Sequence, residues 1–136
     1  NVGAIFRSAA GLGIDAILIT DDCADPFYRR SIKTSMGATL TLPFARIPTV
    51  ASLKDHKDSY SIYGLVVGGA LALSMEVMPQ GKLMFMFGSE GHGLSDTAKS
   101  ILDQEISIPM FNHIDSLNVA QCAAIVFWLN AQRVEG

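Results

Sequence analysis

The sequence has few cysteines, no excess of positive charge and no hydrophobic run long enough to cross a membrane. Cys23 and Cys122 are far apart in the chain and neither lies in a metal-ligand spacing, which argues against a disulfide framework and against a metal site. Ten Lys and Arg against 13 Asp and Glu leave a formal net charge of −3, so nucleic-acid binding would need a local basic patch. No apolar run approaches the roughly 18 residues that span a bilayer, and no signal peptide is visible. These absences favour a reduced, cytoplasmic protein with no membrane partner.

The length bounds the number of domains. A chain of 136 residues can build a single core, which at this size buries roughly two-thirds of the unfolded surface. We therefore expect one domain over residues 1–136. Asn1 already stands where a helix begins, as its N-cap, so we expect an amino-terminal segment to be missing from this domain.

Short apolar runs alternate with helical patterns along the chain. Strands are predicted at residues 15–20, 40–42, 60–67, 83–87 and 105–108, and helices at residues 1–13, 28–37, 49–59, from Ser95 onward, and 117–134. Ser95 is the expected N-cap of its helix, and Gly11 and Gly13 are expected to close the first one. This alternation is typical of an α/β fold with a mostly parallel sheet flanked by helices.

The last helix is apolar nearly all round. Within residues 119–131 only Gln121 and Asn130 are polar. A helix of this kind must be covered on more than one side, and a chain this small has little material to do that. We therefore predict that the helix lies in a homodimer interface, with Phe127 and Trp128 as anchors because aromatic side chains bury large areas.

Two predicted strands end in loops that contain glycine. Gly68-Gly69 follows the third strand, where either a close backbone approach or a tight turn explains the pair. Residues 88–93 follow the fourth strand and read Gly-Ser-Glu-Gly-His-Gly, which matches neither a dinucleotide fingerprint nor a phosphate loop. Ligands of open α/β sheets bind at the carboxyl ends of strands. These loops therefore mark the candidate site.

Positive charges occur on the first two predicted helices. The first helix has one apolar stripe, formed by Val2, Ile5, Phe6, Ala9 and Ala10. Arg7 lies outside that stripe beside small residues, which by itself is typical of a solvated arginine. Arg29, Arg30 and Lys33 fall within two helical turns, an arrangement that is more often a solvated face than a phosphate site.

Three ordered motifs resemble those of a known family. They are residues 1–7 (Asn-Val-Gly-Ala-Ile-Phe-Arg), residues 87–93 (Phe-Gly-Ser-Glu-Gly-His-Gly), and residues 108–110 (Ile-Pro-Met) with 116–119 (Ser-Leu-Asn-Val). They resemble motifs one, two and three of the SpoU family of RNA ribose 2′-O-methyltransferases, in the SPOUT superfamily. Residues 35–38 (Ser-Met-Gly-Ala) resemble a segment between motifs one and two. The resemblance extends from residue 1 to about residue 130.

The resemblance implies a fold, a cofactor and partners. The fold would be an α/β sheet whose carboxyl-terminal part forms a deep trefoil knot. S-adenosyl-L-methionine would be bound in that knot by the loops after the strands, with no metal. By motif position the cofactor-binding residues would be Gly88, Ile108, Leu117, Gly68, Gly69 and Met110. The substrate would be tRNA or rRNA, and the protein would be a homodimer through its last helix.

The resemblance also implies catalytic residues. The family assigns activation of the ribose hydroxyl to the motif-one arginine, here Arg7, reaching across the dimer. A base with a pKa above 12 suits that role poorly, so we assign Arg7 to gripping the adjacent phosphate and stabilising the developing alkoxide. Glu90 would orient Arg7 or Asn1, and Ser116 and Asn118 would shape the ribose site. Arg7, Arg29, Arg30 and Lys33 are the predicted RNA contacts.

The same positions have plainer explanations when each is taken alone. Glu90 would then be a carboxylate at the start of a helix, and Ser116 and Asn118 an N-cap pair. Three matched motifs in order favour the functional interpretation. His92 is not assigned a role.

The chain departs from the family pattern at two places. Asn112 stands where a glycine is common, and we expect the turn to survive because asparagine tolerates left-handed backbone angles. Ala120-Gln121 replaces a common Ser-Val. Together with the missing amino-terminal strand, these differences bear on the subfamily more than on the activity.

Two other functions compete with a methyltransferase. The first is a catalytically silent RNA-binding module on the same fold. The presence of Arg7, Glu90 and Asn118 argues against it. A small doubly wound nucleotide or flavin binder is the other, and it would lack its glycine fingerprint here. Titration with the cofactor distinguishes the methyltransferase from the silent RNA-binding module. The mass of any ligand bound to the purified protein distinguishes it from the nucleotide or flavin binder.

Overall fold

The computed structural model describes residues 2–20, 42–88, 93–114 and 116–135. The helices are α1 (Val2–Gly11), α2 (Asp96–Ser100), α3 (Val119–Glu135) and two 3-10 helices, Val50–His56 and Met75–Val77; the strands are β1 (Ile17–Thr20), β2 (Phe44–Ile47), β3 (Ser61–Leu65), β4 (Leu71–Ala72), β5 (Leu83–Met86) and β6 (Gln104–Ser107). Every strand pair within these described residues is parallel, which confirms the predicted α/β class.

Contacts divide the chain into two compact units. The first unit is Asn1–Thr49 with Ala120–Gly136, and the second is Val50–Val119. A single domain over residues 1–136 stays a prediction. The helix predicted at residues 28–37 lies outside the described residues.

In the first unit, β1 pairs with β2 from Ile17 opposite Phe44 to Thr20 opposite Ile47. The strand predicted at residues 40–42 was placed too early, because Leu42 is outside β2 and the strand follows Pro43. Proline has no N–H to donate to a ladder, so it is tolerated at a strand's beginning. There its carbonyl accepts a hydrogen bond from the Ile17 N–H at 3.0 Å.

α1 buries one face against this unit's core. Phe6 and Ala9 are buried as predicted, and the Phe6 ring meets the Phe44 ring edge-on at 5.6 Å between centroids. Ala10 is exposed, so the predicted stripe was wrong there, and Gly3 is buried in its place. Gly13 closes the helix as predicted: its φ is 81°, and the Ile14 N–H reaches back to the Ala9 carbonyl.

The second unit is built on a four-stranded sheet in the order β4-β6-β3-β5. Its central strand β3 is buried at Ile62, Tyr63 and Gly64. The Tyr63 hydroxyl donates to the Val77 carbonyl at 2.8 Å. Burial, and secondarily the charge of Asp103, raises the pKa of Tyr63, so the hydroxyl stays protonated and the bond persists into alkaline solution.

Local sequence patterns predicted two of the helices in this unit. Ser95 caps α2 as predicted, accepting from the Ala98 N–H at 3.1 Å, and Asp96 lies in the first turn. The helix predicted at residues 49–59 is a shorter 3-10 helix, Val50–His56. β4 and the second 3-10 helix were not predicted.

α3 has a buried face and an exposed face. Cys122 is buried, as predicted for a small core residue, and Phe127 is 4% exposed. Phe127 is thus covered within its own chain and is not available as the interface anchor that we predicted, whereas Trp128 is 55% exposed. Among the described helices, none combines the length and apolar character needed to cross a membrane.

Candidate functional site

The carboxyl ends of three parallel strands lie at one level in the second unit. Gly64 of β3 is opposite Met86 of β5 on one side and Glu105 of β6 on the other. The loops that follow these strands therefore leave the sheet together, at the edge where α/β proteins bind ligands. Most predicted cofactor-binding residues lie in these loops: Gly68 and Gly69 after β3, Gly88 after β5, and Ile108 and Met110 after β6, with Leu117 just before α3.

A five-residue link, residues 66–70, crosses the end of β6. It joins β3 to β4, which lie on opposite sides of β6 in the sheet. The Val66 N–H donates to the Ile106 carbonyl at 2.9 Å, and the Leu73 N–H donates to the Ser107 carbonyl at 2.8 Å. Parallel strands usually need a crossover of a dozen or more residues. Five residues suffice here because the end of β3 and the start of β4 lie at the same level of β6, opposite Ile106.

The glycine pair in this link provides both a tight turn and a close backbone approach, the two alternatives that the sequence left open. Gly68 has a φ of 71°, which makes the turn. A Cβ on Gly69 would lie 3.1 Å from the carbonyl oxygens of Ile106 and Val66, so this residue permits a close backbone approach. The approach is to the chain's own strand β6. The Ser107 hydroxyl adds a hydrogen bond to the Gly69 carbonyl at 3.3 Å.

Gly88 has a similar reason to lack a side chain. A Cβ at Gly88 would overlap the backbone of Gly93 and Leu94, so the two ends of the loop after β5 touch. Gly93 supports the closure with a φ of 66°. Glu90 and His92, in the middle of this loop, lie outside the described residues. The absence of a side chain at Gly88 therefore permits the close approach of Gly93 and Leu94.

The loop after β6 contains a tight turn over residues 111–114. The Ile114 N–H donates to the Phe111 carbonyl at 3.2 Å, and the two central residues, Asn112 and His113, have φ of 58° and 60°. Two positive φ values are the signature of a type I′ turn. The prediction that Asn112 adopts a left-handed conformation is confirmed. His113 was not predicted to share it, since no local signal distinguishes it.

The side chains at this edge are mostly apolar. Ile108, Met110 and Leu117 are half-buried, and Val67 is 71% exposed. Among the described residues of the loops 66–70, 87–88, 108–114 and 116–118, His113 is the only ionisable one. Across the described residues no group of three or more His, Cys, Asp or Glu is placed to hold a metal. The described part of this edge therefore offers apolar surface and backbone groups for binding a ligand.

The predicted polar residues divide between the two units. Ser116 and Asn118 are exposed in the second unit. Arg7 is exposed in the first, on a groove of about 490 Å³ lined by Ala4, Arg7, Ser8, Gly11 and Leu12. No hydrogen bond or ion pair to another described residue holds its guanidinium. Asn1, Arg29, Arg30 and Lys33 lie outside the described residues.

Comparison with known proteins gives one consistent family. The model of the SpoU rRNA Methylase family matches residues 1–128. An uncharacterised tRNA/rRNA methyltransferase of Mycobacterium tuberculosis H37Rv is 38% identical over 135 residues, covering 94% of this chain and 46% of the relative. The 23S rRNA (uridine(2479)-2′-O)-methyltransferase of Streptomyces viridochromogenes is 29% identical over 143 residues, covering 100% of this chain and 50% of that protein.

Solved structures agree with the sequence matches. The SpoU methyltransferase AviRb from Streptomyces viridochromogenes, in complex with the cofactor AdoMet, superposes with a TM-score of 0.88 at 26% identity, covering 99% of this chain and 56% of that one. The TrmH/SpoU tRNA modifying enzyme of A. aeolicus shares the fold, with a TM-score of 0.84 at 20% identity, covering 98% and 68%. This chain spans about half the length of the curated relatives that it matches.

Proposed function

This chain belongs to the SpoU rRNA methylase family, and we propose that it transfers a methyl group from S-adenosyl-L-methionine to a ribose 2′-hydroxyl of tRNA or rRNA. The observation that carries the proposal is the clustering of the motif-two and motif-three loops at one edge of the β4-β6-β3-β5 sheet. Support comes from a relative named as a 2′-O-methyltransferase and from a structural neighbour that binds AdoMet.

The residues at the sheet edge fit this cofactor. Its adenine requires an apolar surface, and the side chains of Ile108, Met110 and Leu117 are half-buried, so each leaves part of its surface accessible at this edge. The link 66–70 and the loop closed by Gly88 and Gly93 bring backbone groups to the same edge, where they would bind the polar parts of the cofactor. When bound, the cofactor supplies the sulfonium methyl group that is transferred.

We also propose that the carboxyl-terminal part forms a deep trefoil knot. The feature that supports it is the link 66–70, which crosses the end of β6 while β6 lies between the strands that the link joins. The polypeptide that follows β6 must then run past this link. The cofactor loops would be rigid for that reason, because each is held by a neighbouring segment rather than by its own residues alone.

In the proposed mechanism the ribose hydroxyl is positioned by polar groups and its alkoxide is stabilised by a cation. Ser116 and Asn118, which are exposed beside the cofactor loops in sequence, would hold the ribose. Arg7 would grip the neighbouring phosphate bidentately and stabilise the negative charge that develops on the 2′-oxygen. Its guanidinium has no partner among the described residues and is free to do so. Glu90 would orient Arg7 or Asn1.

The RNA contact requires positive charge that the chain as a whole lacks. We propose that Arg7, Arg29, Arg30 and Lys33 form this contact, since phosphate neutralisation dominates nucleic-acid affinity. With a net charge of −3, binding should be local and strongly weakened by salt.

We propose a homodimer formed through the exposed face of α3. That face is a stripe at helical spacing of Gln121, Ile125, Trp128 and Gln132. Ile125 is 39% exposed and Trp128 is 55% exposed, which is unusual for residues of their size. The arginine of motif one would act on the cofactor site of the second copy.

Replacing Trp128 with glutamate is expected to convert the dimer into a folded monomer. The charge would be buried in the interface without a partner, while the exposed position leaves the fold of each chain intact. Sedimentation at tens of micromolar measures the oligomeric state, and the control Gln104→Glu, at an exposed position of β6 outside the stripe, should leave the dimer unchanged. A parent protein that sediments as a well-folded monomer contradicts the proposed dimer.

Calorimetric titration with S-adenosyl-L-methionine tests the proposed function against its main competitor. A methyltransferase should bind the cofactor with micromolar affinity, and a silent RNA-binding module on the same fold should not. Absence of heat on titration, with a circular dichroism spectrum of a folded protein, would exclude the methyltransferase. A flavin or nucleotide released from the purified protein and identified by mass would favour the doubly wound nucleotide binder.

A further inference from the structure

The turn at residues 111–114 holds an aromatic ring out in solvent. Phe111 is 79% exposed, the highest value among the large hydrophobic side chains in the described part of the chain. The turn is held by the hydrogen bond from Ile114 to Phe111 and by left-handed angles at Asn112 and His113. Asparagine and histidine are among the non-glycine residues that adopt a positive φ most readily, and two such angles in succession define this type I′ turn. Phe111 is thus presented on a defined turn.

The position of this ring along the chain places it beside the proposed reaction site. Phe111 is three positions after Ile108, so their Cα atoms are at most about 11 Å apart. Ser116 is five positions after Phe111, a distance of at most about 18 Å. A nucleotide that contacts Phe111 would therefore be the methylated one or a close neighbour.

The local charge indicates which part of a nucleotide would bind there. Between Lys99 and Arg133 the sequence contains no lysine or arginine. The only side chain of the turn able to carry a positive charge is His113. The turn itself therefore supplies no lysine or arginine for phosphate contacts, and its exposed apolar ring is the feature that it offers for recognition. Unstacked RNA bases are commonly bound by stacking on such rings.

We propose that Phe111 is a stacking platform for an unpaired base of the RNA at or next to the methylated nucleotide. The proposal rests on the proposed methyl transfer to RNA, whose substrate it narrows to a nucleotide in a single-stranded or loop region. A second protein is a poorer occupant, because a stable interface buries about 800 Å² on each partner and one four-residue turn with a polar tip offers much less.

Binding of two fluorescein-labelled RNA decamers tests this proposal. One is a single-stranded oligoribonucleotide of mixed sequence, and the other has the same length and phosphates but abasic sugars. Phe111→Ala is expected to weaken binding of the first about 5- to 100-fold, the range for loss of one stacked base. Binding of the abasic decamer should not change. The dependence of affinity on salt should also be unchanged, because no phosphate contact is lost.

Two control variants sharpen the measurement. Phe111→Tyr retains the ring and should bind both decamers as the parent does. Ile114→Ala removes the other exposed apolar side chain of the turn and should have no effect on either. Cofactor affinity and sedimentation of Phe111→Ala should equal those of the parent.

Four results with Phe111→Ala would overturn the proposal. These are unchanged binding of the base-containing decamer by Phe111→Ala, equal weakening of both decamers, a loss of cofactor affinity, or a changed oligomeric state. The last two would assign Phe111 to the cofactor pocket or to an interface between copies. A parent protein that binds neither decamer but binds S-adenosyl-L-methionine also overturns it, while the proposed function stands. If the decamers behave as expected and the cofactor does not bind, the proposed function fails instead.

Discussion

Replacing Arg7 with lysine is expected to lower the rate of methyl transfer by about 100- to 1,000-fold, the range for removing one donor that stabilises a developing oxyanion. Lysine keeps the positive charge but loses the forked geometry that binds a phosphate bidentately. The side chain is exposed on α1, so the substitution should leave the fold unchanged. The rate would be measured with labelled cofactor and RNA under single-turnover conditions.

Controls separate this role from general-base catalysis. Cofactor affinity should hardly change in Arg7→Lys, and Arg46→Lys, at an exposed arginine of β2, should leave the rate unchanged. If arginine acts as the base, an amine with a lower pKa should replace it as the pH rises. Strong recovery of Arg7→Lys between neutral pH and about pH 10 would therefore favour the general-base assignment. Full turnover by Arg7→Ala would remove Arg7 from the mechanism.

Replacing Gly88 with valine is expected to weaken cofactor binding by about 5- to 150-fold, as forced backbone shifts of about 1–3 kcal/mol imply. The reason lies within the chain. A side chain at Gly88 would overlap the backbone of Gly93 and Leu94, so the loop after β5 would open and its backbone groups would move. Calorimetry with S-adenosyl-L-methionine measures the loss.

A glycine in open space provides the matched control. No atom lies within 4 Å of a Cβ built on Gly11, so Gly11→Val should leave cofactor affinity unchanged. Denaturant unfolding would show whether Gly88→Val remains folded at the temperature of the titration. Cofactor binding by folded Gly88→Val that is as tight as that of the parent would mean that the loop is not part of the site.

Local patterns predicted the framework of the sheet well. The strands predicted at residues 60–67, 83–87 and 105–108 match β3, β5 and β6 within two residues at each end. Residues 83–87 form a continuous apolar run, which is typical of a buried parallel strand. Ser95 and Asn112 were also predicted correctly. Each depends on conformational preferences of one side chain and its immediate neighbours, which the sequence displays directly.

Features set by distant contacts were not visible in the sequence. β4 has two residues and no periodicity, and its place beside β6 depends on a link that crosses another strand. The overlap that requires Gly88 involves Gly93 and Leu94, which the glycine pattern alone did not indicate. The exposure of Phe111 was missed because an apolar residue in a loop carries no signal of whether it faces the core or solvent. The knot and the cofactor came only from the resemblance.

Incubation of the protein with methyl-labelled S-adenosyl-L-methionine and total RNA, followed by alkaline hydrolysis, tests the proposed activity most directly. Alkali cleaves RNA through the free 2′-hydroxyl, so a 2′-O-methylated nucleotide remains joined to its neighbour. We predict that the label appears in alkali-resistant dinucleotides and is absent when Arg7→Ala is used. Label in mononucleotides, which marks a methylated base, or no labelled RNA from a protein that binds the cofactor, would contradict the proposed ribose methylation.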